Sequence, residues 1–257
     1  MTKQSVAFGN LEWSRTNSGL LSSYISLSSK SLRHLPPPSK LDKMLPILSF
    51  FISSYGIYSA YNVVHDYLLA SSPEYVILPE ARQYYVIKNI IKGYYLAFLV
   101  GVSSILILPS VLFFGTYNNL NICVVASLYV SNDFVGLFRV NKLPTTTRLH
   151  HTASLLLLVL AWRADFQNNR TAQMLFFYCY LSAWSFCVNL YLGMRFCTKE
   201  DPKTLRSFAK ISYAICCLLN WTLQCLWFDF TIESYCYVIL LLAIVYDDVV
   251  LLRWLWR

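Results

Sequence analysis

From residue 44 onward, long apolar stretches alternate with short polar connections rich in Lys and Arg. The stretches run roughly over 44–69, 93–114, 120–138, 150–162, 171–194, 207–228 and 232–252. Most hold about 20 residues with few charges, enough at helical rise to cross roughly 30 Å of hydrocarbon. A backbone exposed to lipid must satisfy its own hydrogen bonds, so such segments are read as helices. The pattern predicts an all-α fold, a polytopic transmembrane helical bundle of about seven spans. The stretch 150–162 is short for a crossing and relies on its flanks or on local bilayer thinning. Trp162, Trp227, Trp254 and Trp256 lie near stretch ends, where interfacial anchoring favours aromatic rings.

Residues 1–43 read differently. They hold ten serines, six Lys or Arg, only Glu12 and Asp42 as acids, and the turn-forming run Pro36, Pro37, Pro38. The expected organisation is a disordered, basic, Ser-rich tail over 1–43 and a transmembrane domain over 44–257. The tail has no continuous apolar core of the secretory-signal kind, and its composition also fits an organelle transit peptide.

Composition strengthens the membrane reading. Hydrophobic residues make up 56% and charged residues 13% of the 257, and mean hydropathy is +0.47, whereas soluble domains are about a quarter charged. The formal net charge of +8 is not gathered into a compact basic domain with interleaved stacking aromatics, so nucleic acid is not an expected partner. Eight cysteines lie in or beside the apolar stretches without CxxC spacing, which argues for small core residues and against a zinc site or a disulfide framework.

Charge asymmetry gives an orientation. With seven spans, the connections around 71–92, 139–149 and 195–210 share one side with the C-terminus and carry thirteen Lys or Arg. The other side has Arg163 and Arg170 in its loops, together with the six in the tail. The loops place the C-terminus in the cytosol, while the tail argues the opposite. The sequon Asn169, Arg170, Thr171 would then face the lumen, close to the membrane.

Ionisable groups inside a span are costly, and each is a candidate for function or for a buried partner. His65 and Asp66 fall near the end of the first stretch, Asp133 near the end of the third, Asn189 late in the fifth, and Asp247 with Asp248 late in the seventh, while His150 and His151 open the fourth. Parity puts all of them in one half of the bilayer. At 1.5 Å per residue, a group five residues from a span end lies about 8 Å deep, within reach of water and headgroups. A polar pocket open to one leaflet accounts for all of them together; interhelical hydrogen bonds that fasten the bundle are the alternative. Adjacent helical residues diverge by about 100°, so His150 and His151 make a poor metal pair and no metal is expected. Histidine can carry a proton near neutral pH and act as base or nucleophile in acyl transfer. Asp133, Asp247 or His65 could orient the imidazole, and Ser154 one turn after His150 suits helix packing better than nucleophilic attack. The thirteen basic residues could attract a phosphorylated cytosolic donor or anionic headgroups, although insertion alone requires such charges. No GxxxxGK[ST], GxGxxG or GxSxG pattern is present, which removes support for nucleotide binding and for a nucleophile-elbow hydrolase.

The stretch 129–196, YVSNDFVGLFRVNKLPTTTRLHHTASLLLLVLAW through FYCYLSAWSFCVNLYLGMRF, has a polar cluster ending in a histidine pair that opens an apolar span. KNIIKGYYLAFL at 88–99 and AYNVVHDYLL at 60–69 precede it. In these features the chain, over roughly 44–252, resembles the TLC-domain family, which includes the ceramide synthases. The resemblance implies a helical membrane domain of the endoplasmic reticulum whose interior receives a long acyl chain. Ceramide synthases join an acyl-CoA to a sphingoid amine and need a histidine pair, matched by His150 and His151; His65 and Asn189 match a first-span histidine and a fifth-span asparagine. Other members keep the pair without established synthase activity and influence membrane phospholipid composition, and this chain is nearer to them. The synthases carry an acidic HD-type motif in the following span, whereas YCYLSAWSFCVN at 178–189 contains neither acid nor histidine.

The expectation is a TLC-type integral membrane protein of lipid metabolism or membrane-lipid homeostasis that binds a long acyl chain in the bundle. If it is an enzyme, the implied chemistry is acyl-CoA-dependent N- or O-acyl transfer. His150 and His151 are the candidate catalytic residues; His65, Asp133, Asn189, Asp247 and Asp248 the supporting polar groups; Arg148 and Ser154 the candidate substrate contacts. No bound cofactor is expected, and the partners are membrane lipids, with acyl-CoA and a sphingoid base as co-substrates. A non-catalytic sensor of lipid composition is the alternative, and a proton-coupled transporter a third, against which stands the lack of an inverted repeat or of paired Gly/Pro-broken spans.

Overall fold

The computed structural model describes residues 40–257, in which every regular element is a helix. In order these are α1 (Lys40–Ser71), α2 (Pro73–Val76), α3 (Glu80–Leu106), α4 (Leu108–Phe114), α5 (Asn119–Arg139), α6 (Thr145–Ala161), α7 (Arg170–Ala183), α8 (Phe186–Met194), α9 (Lys203–Trp227) and α10 (Ile232–Trp256). The expected tail lies, up to residue 39, outside the described residues. α1 begins at Lys40, ahead of the expected edge at 44, with Asp42 in the first turn where the helix dipole favours a negative charge.

Five segments are long and apolar enough to cross a membrane: Leu41–Ser71, Glu80–Phe114, Asn119–Arg139, Arg170–Met194 and Ile232–Trp256. The protein is thus a multi-pass membrane helical bundle. Two of the seven expected stretches are not in this set. α6 has 17 residues, about 26 Å of helix. α9 has 25 but dilutes its hydropathy with Tyr213, Asn220 and Gln224 on its buried face.

Contacts at the helix ends fix the course of the chain. At one end, Asn119 opening α5 reaches Asp165 and the Phe166 amide after α6. There too Gln167 donates to the Gly115 carbonyl after α4, and Thr171 of α7 meets Ser234 of α10. At the other end, Ser72 after α1 donates to the Cys197 carbonyl after α8, Arg82 of α3 lies over Phe196, and Lys210 of α9 lies over Trp256 of α10. The chain therefore turns back on itself between these two ends, with α6 and α9 lying between longer neighbours. Two passages are broken: Pro109, lacking an N–H, starts α4 after Ile107, and residues Trp184 and Ser185 separate α7 from α8. Gly115 closes α4 at φ 60°, a left-handed conformation that glycine adopts without penalty. In the connection after α6, hydrogen bonds from Asn168 and Asn119 hold the Asp165 carboxyl below its ordinary range.

Polarity is inverted relative to a soluble bundle. α9 buries Tyr213, Cys216, Cys217, Asn220 and Gln224 and exposes Phe208, Ile211, Ile215 and Leu218 at helical spacing on its opposite side. Its buried amide NH2 groups are paired: Asn220 donates to the Tyr178 carbonyl and the Ser182 hydroxyl, and Gln224 to the Met174 carbonyl. An apolar exterior with hydrogen-bonded polar groups inside is what a lipid solvent selects. The eight cysteines are free; six are wholly or partly buried, while Cys225 and Cys236 face outward, so the core role expected of all eight does not extend to these two.

α3 and α8 approach closely and pack through reciprocal glycines. A Cβ on Gly93 would lie 2.6 Å from the Leu190 side chain and 3.0 Å from its backbone nitrogen; one on Gly193 would lie 2.6 Å from Ile90 Cγ1 and 3.2 Å from the Val86 carbonyl. Small residues allow such approach where no hydrophobic force draws helices together in lipid. Gly193→Val should accordingly destabilise the detergent-solubilised protein by about 1–3 kcal/mol, lowering its thermal midpoint. Gly101→Ala on α3, where nothing lies within 4 Å, should leave the midpoint unchanged or slightly raised.

Candidate functional site

Asp133, fully buried on α5, is the centre of the site. Lys92 of α3 donates from Nζ to its Oδ1. His151 of α6 brings Nδ1 to 3.1 Å from the same oxygen, within ion-pair range but without hydrogen-bond alignment. His150, one position earlier, places Nε2 3.9 Å from Asp133 Oδ2 and Nδ1 3.4 Å from Asp247 Oδ2 on α10. The helical offset separates the two histidines: their rings stand 5.5 Å apart at 79°, with His151 buried and His150 partly open.

Asp248, next to Asp247, accepts from Tyr178 Oη and Tyr213 Oη, each at 2.7 Å. Thr147 donates to Asp247 at 3.4 Å. Gly136, one turn after Asp133, leaves the space through which Lys88 passes: a Cβ there would lie 3.3 Å from Lys88 Cε and 3.8 Å from His151 Nε2. The site is polar and incompletely satisfied, since Asp133 Oδ2, both ring nitrogens of His151 and both side-chain polar atoms of Asn132 are buried without a hydrogen-bond partner.

Lys88, Lys92, His150, His151, Asp247 and Asp248 border a cavity of about 360 Å³ that runs along the bundle, within the size range of small-molecule sites, and Asp133 lies behind this wall, against Lys92 and the histidines. The α3 wall of the cavity extends from Tyr85 to Ser103, about 27 Å of helix. One end is polar, with Lys88, Lys92, His150, His151, Asn189, Arg195, Asp247 and Asp248; the other is apolar, with Leu99, Ile122, Leu157, Leu175 and Phe176. The shape and polarity suit a long apolar chain with its polar group among the histidines and carboxylates.

The expected site residues divide. His150, His151, Asp247, Asp248 and Asn189 line the cavity, and Asp133 lies behind its wall against both histidines. Ser154 lines it, with its hydroxyl donated to the His150 carbonyl at 3.1 Å, as a helix-packing serine would be. His65 is not brought there: its Nδ1 bonds Tyr75 Oη at 2.7 Å and its ring stacks on Tyr84. Asp66 is exposed. Arg148 is also exposed and turns to the Asn141 carbonyl, away from the cavity wall. The sequon asparagine, Asn169, caps α7 and donates to Glu233.

Asp133, His150 and His151 present donor atoms within 4.8 Å of one another. Spacing on one helix argues against a metal, but a second helix supplies the third donor. The Lys92 ammonium on Asp133 already gives that carboxylate a cation. Lys88 and Lys92 are the residues sequence reading misplaced, as loop charges for insertion; α3 starts at Glu80, so both are helical, one turn apart and buried. Their i, i+4 spacing after Pro79 was the available signal.

With this geometry the chain is a multi-pass helical membrane protein enclosing an amphipathic cavity with an Asp/His/Lys cluster at one end. No protein-family model, no curated protein and no solved structure matches it.

Breaking a buried ion pair strands a charge, whereas replacing both partners does not. Asp133→Leu or Lys92→Met alone should each cost about 3–5 kcal/mol, and the double substitution less than their sum. Thermal unfolding of the four proteins in one detergent gives the coupling directly.

Proposed function

We propose that this protein is a TLC-type membrane protein of lipid metabolism, that it holds a long acyl chain in the cavity, and that His150 performs acyl transfer on the group at the polar end. The observation carrying this reading is the continuity of an apolar shaft with the His150–Asp247 pair. With Asp247 Oδ2 3.4 Å from Nδ1, an N–H on that nitrogen would face a carboxylate and leave Nε2 as the base. His150 then takes the proton from an amine or hydroxyl as its nitrogen or oxygen attacks the acyl carbonyl, and returns it to the thiolate as the carbon–sulfur bond of an acyl-CoA breaks. A sphingoid base is the amine acceptor that the family resemblance suggests, and a lipid hydroxyl is the oxygen one.

The reading includes seven membrane crossings, with α6 and α9 as the two additional spans, supported by their passage from end to end of the bundle. The polar end and the C-terminus then face the cytosol, and the membrane is that of the endoplasmic reticulum. A second reading, a non-catalytic sensor of membrane lipids, is favoured by the segment 178–189, which contributes no acid or histidine. Against it, Asp248 bonds Tyr178 of that very segment, so α10 supplies the carboxylate there.

Membranes expressing the wild type should gain an acylated lipid that His150→Ala, Asp247→Asn and the His150→Ala/His151→Ala pair fail to make. His65→Ala, outside the cavity, should retain it. General acid–base groups contribute about 10²–10⁴-fold, so the loss should be near-complete in untargeted lipid analysis. Equal products from every variant would exclude catalysis and leave the sensor.

A further inference from the structure

Most charges on the cavity wall have a counterpart. Lys92 meets Asp133, Asp247 meets His150 and Thr147, and Asp248 meets two tyrosine hydroxyls. Lys88 does not. It is 4% exposed and lines the cavity, and among the described residues it makes no hydrogen bond or ion pair. Asp133 and Asp247 act on its charge electrostatically without touching it, and Lys92 one turn away opposes it. Arg195 of the connection after α8, partly buried, is a second cation without an ion pair among the described residues: its guanidinium lies 4.4 Å from the Phe196 and Trp254 ring centroids, its Nε is buried without a partner, and it lines the same polar end. An ammonium buried without a counter-charge is costly, and in membrane proteins such a residue marks a ligand or ion site.

We propose that Lys88, with Arg195 nearer the mouth, is the seat for an anionic oxygen group, a carboxylate or phosphate, attached to the chain that fills the cavity. This rests on the acyl-chain reading above and adds the headgroup class. The geometry favours an anion close to the chain. Lys88 Cε and His151 Nε2 flank the same gap at Gly136, so the ammonium stands at the depth of the histidines, below the loops. A thioester would offer only a neutral carbonyl there. A fatty acid or a lysophospholipid would offer a full negative charge, and the latter would set a hydroxyl acceptor near His150.

The test uses the full chain in nanodiscs of phosphatidylcholine and three probes with one acyl chain in common: palmitate, palmitoyl lysophosphatidate and the neutral monopalmitoylglycerol. The wild type should bind at least one anionic probe about tenfold or more tighter than the neutral one, the worth of a charge-assisted contact. Lys88→Met should remove that preference while retaining neutral binding, which also shows that the variant is folded; Lys88→Arg should keep the preference, and Arg195→Met should reduce it. Which anionic probe shows the effect distinguishes carboxylate from phosphate. Equal wild-type affinity for all three probes, or a preference that survives Lys88→Met, overturns the headgroup assignment and leaves the acyl-chain cavity standing. Failure of every probe to bind the wild type overturns both.

Discussion

A single buried carboxylate sets the arrangement of the site. Asp133 has no exposed surface, and its charge is tolerable only because α3 brings Lys92 and α6 brings His151 against it. Three helices are thereby held at one depth. In lipid, where apolar burial between helices yields little, such polar contacts and close backbone packing decide which faces meet. The close packing comes from the reciprocal glycines of α3 and α8, which bring the α3 backbone against α8 and so fix where Lys88 and Lys92 stand relative to Asn189 and Arg195.

Much of this was legible in the residue pattern, and the reason is the inverted polarity. Apolar stretches mark what faces lipid, and rare polar residues within them mark what faces inward; parity alone then placed Asp133, His150, His151, Asn189, Asp247 and Asp248 at one end, where the cavity joins all but Asp133, which lies just behind its wall. Parity gives depth but not azimuth. His65 shares the depth yet turns to Tyr75 and Tyr84, because Tyr75 of the short α2 folds back beneath it. Arg148 precedes the histidines but occupies the exposed side of α6.

The less legible parts have two physical causes. Lys88 and Lys92 read as insertion signals because Lys at a membrane boundary ordinarily is one; only the start of α3 at Glu80, behind Pro79, carries them inside. α6 and α9 fall short of the spanning criteria for the opposite reason, one through length and the other through the polar face it turns inward. Both lie beside the cavity, and a helix that lines a polar chamber loses the hydropathy by which spans are recognised. The weakest spanning signals thus belong to helices that line the cavity.

The histidine pair shows how adjacency separates roles. Neighbours on a helix point about 100° apart, so one ring cannot follow the other into the same environment. His151 goes to the α5 side, where burial and the Asp133 oxygen fix it among Lys88, Lys92 and Gly136. His150 goes to the α10 side, keeps part of its ring accessible, and has Asp247 at one nitrogen. A group that must exchange protons with a ligand needs that access, and a buried neighbour can only set its position and field. On the proposed acyl-transfer reading, the partition gives proton transfer to His150 and support to His151, although spacing alone treats the two alike.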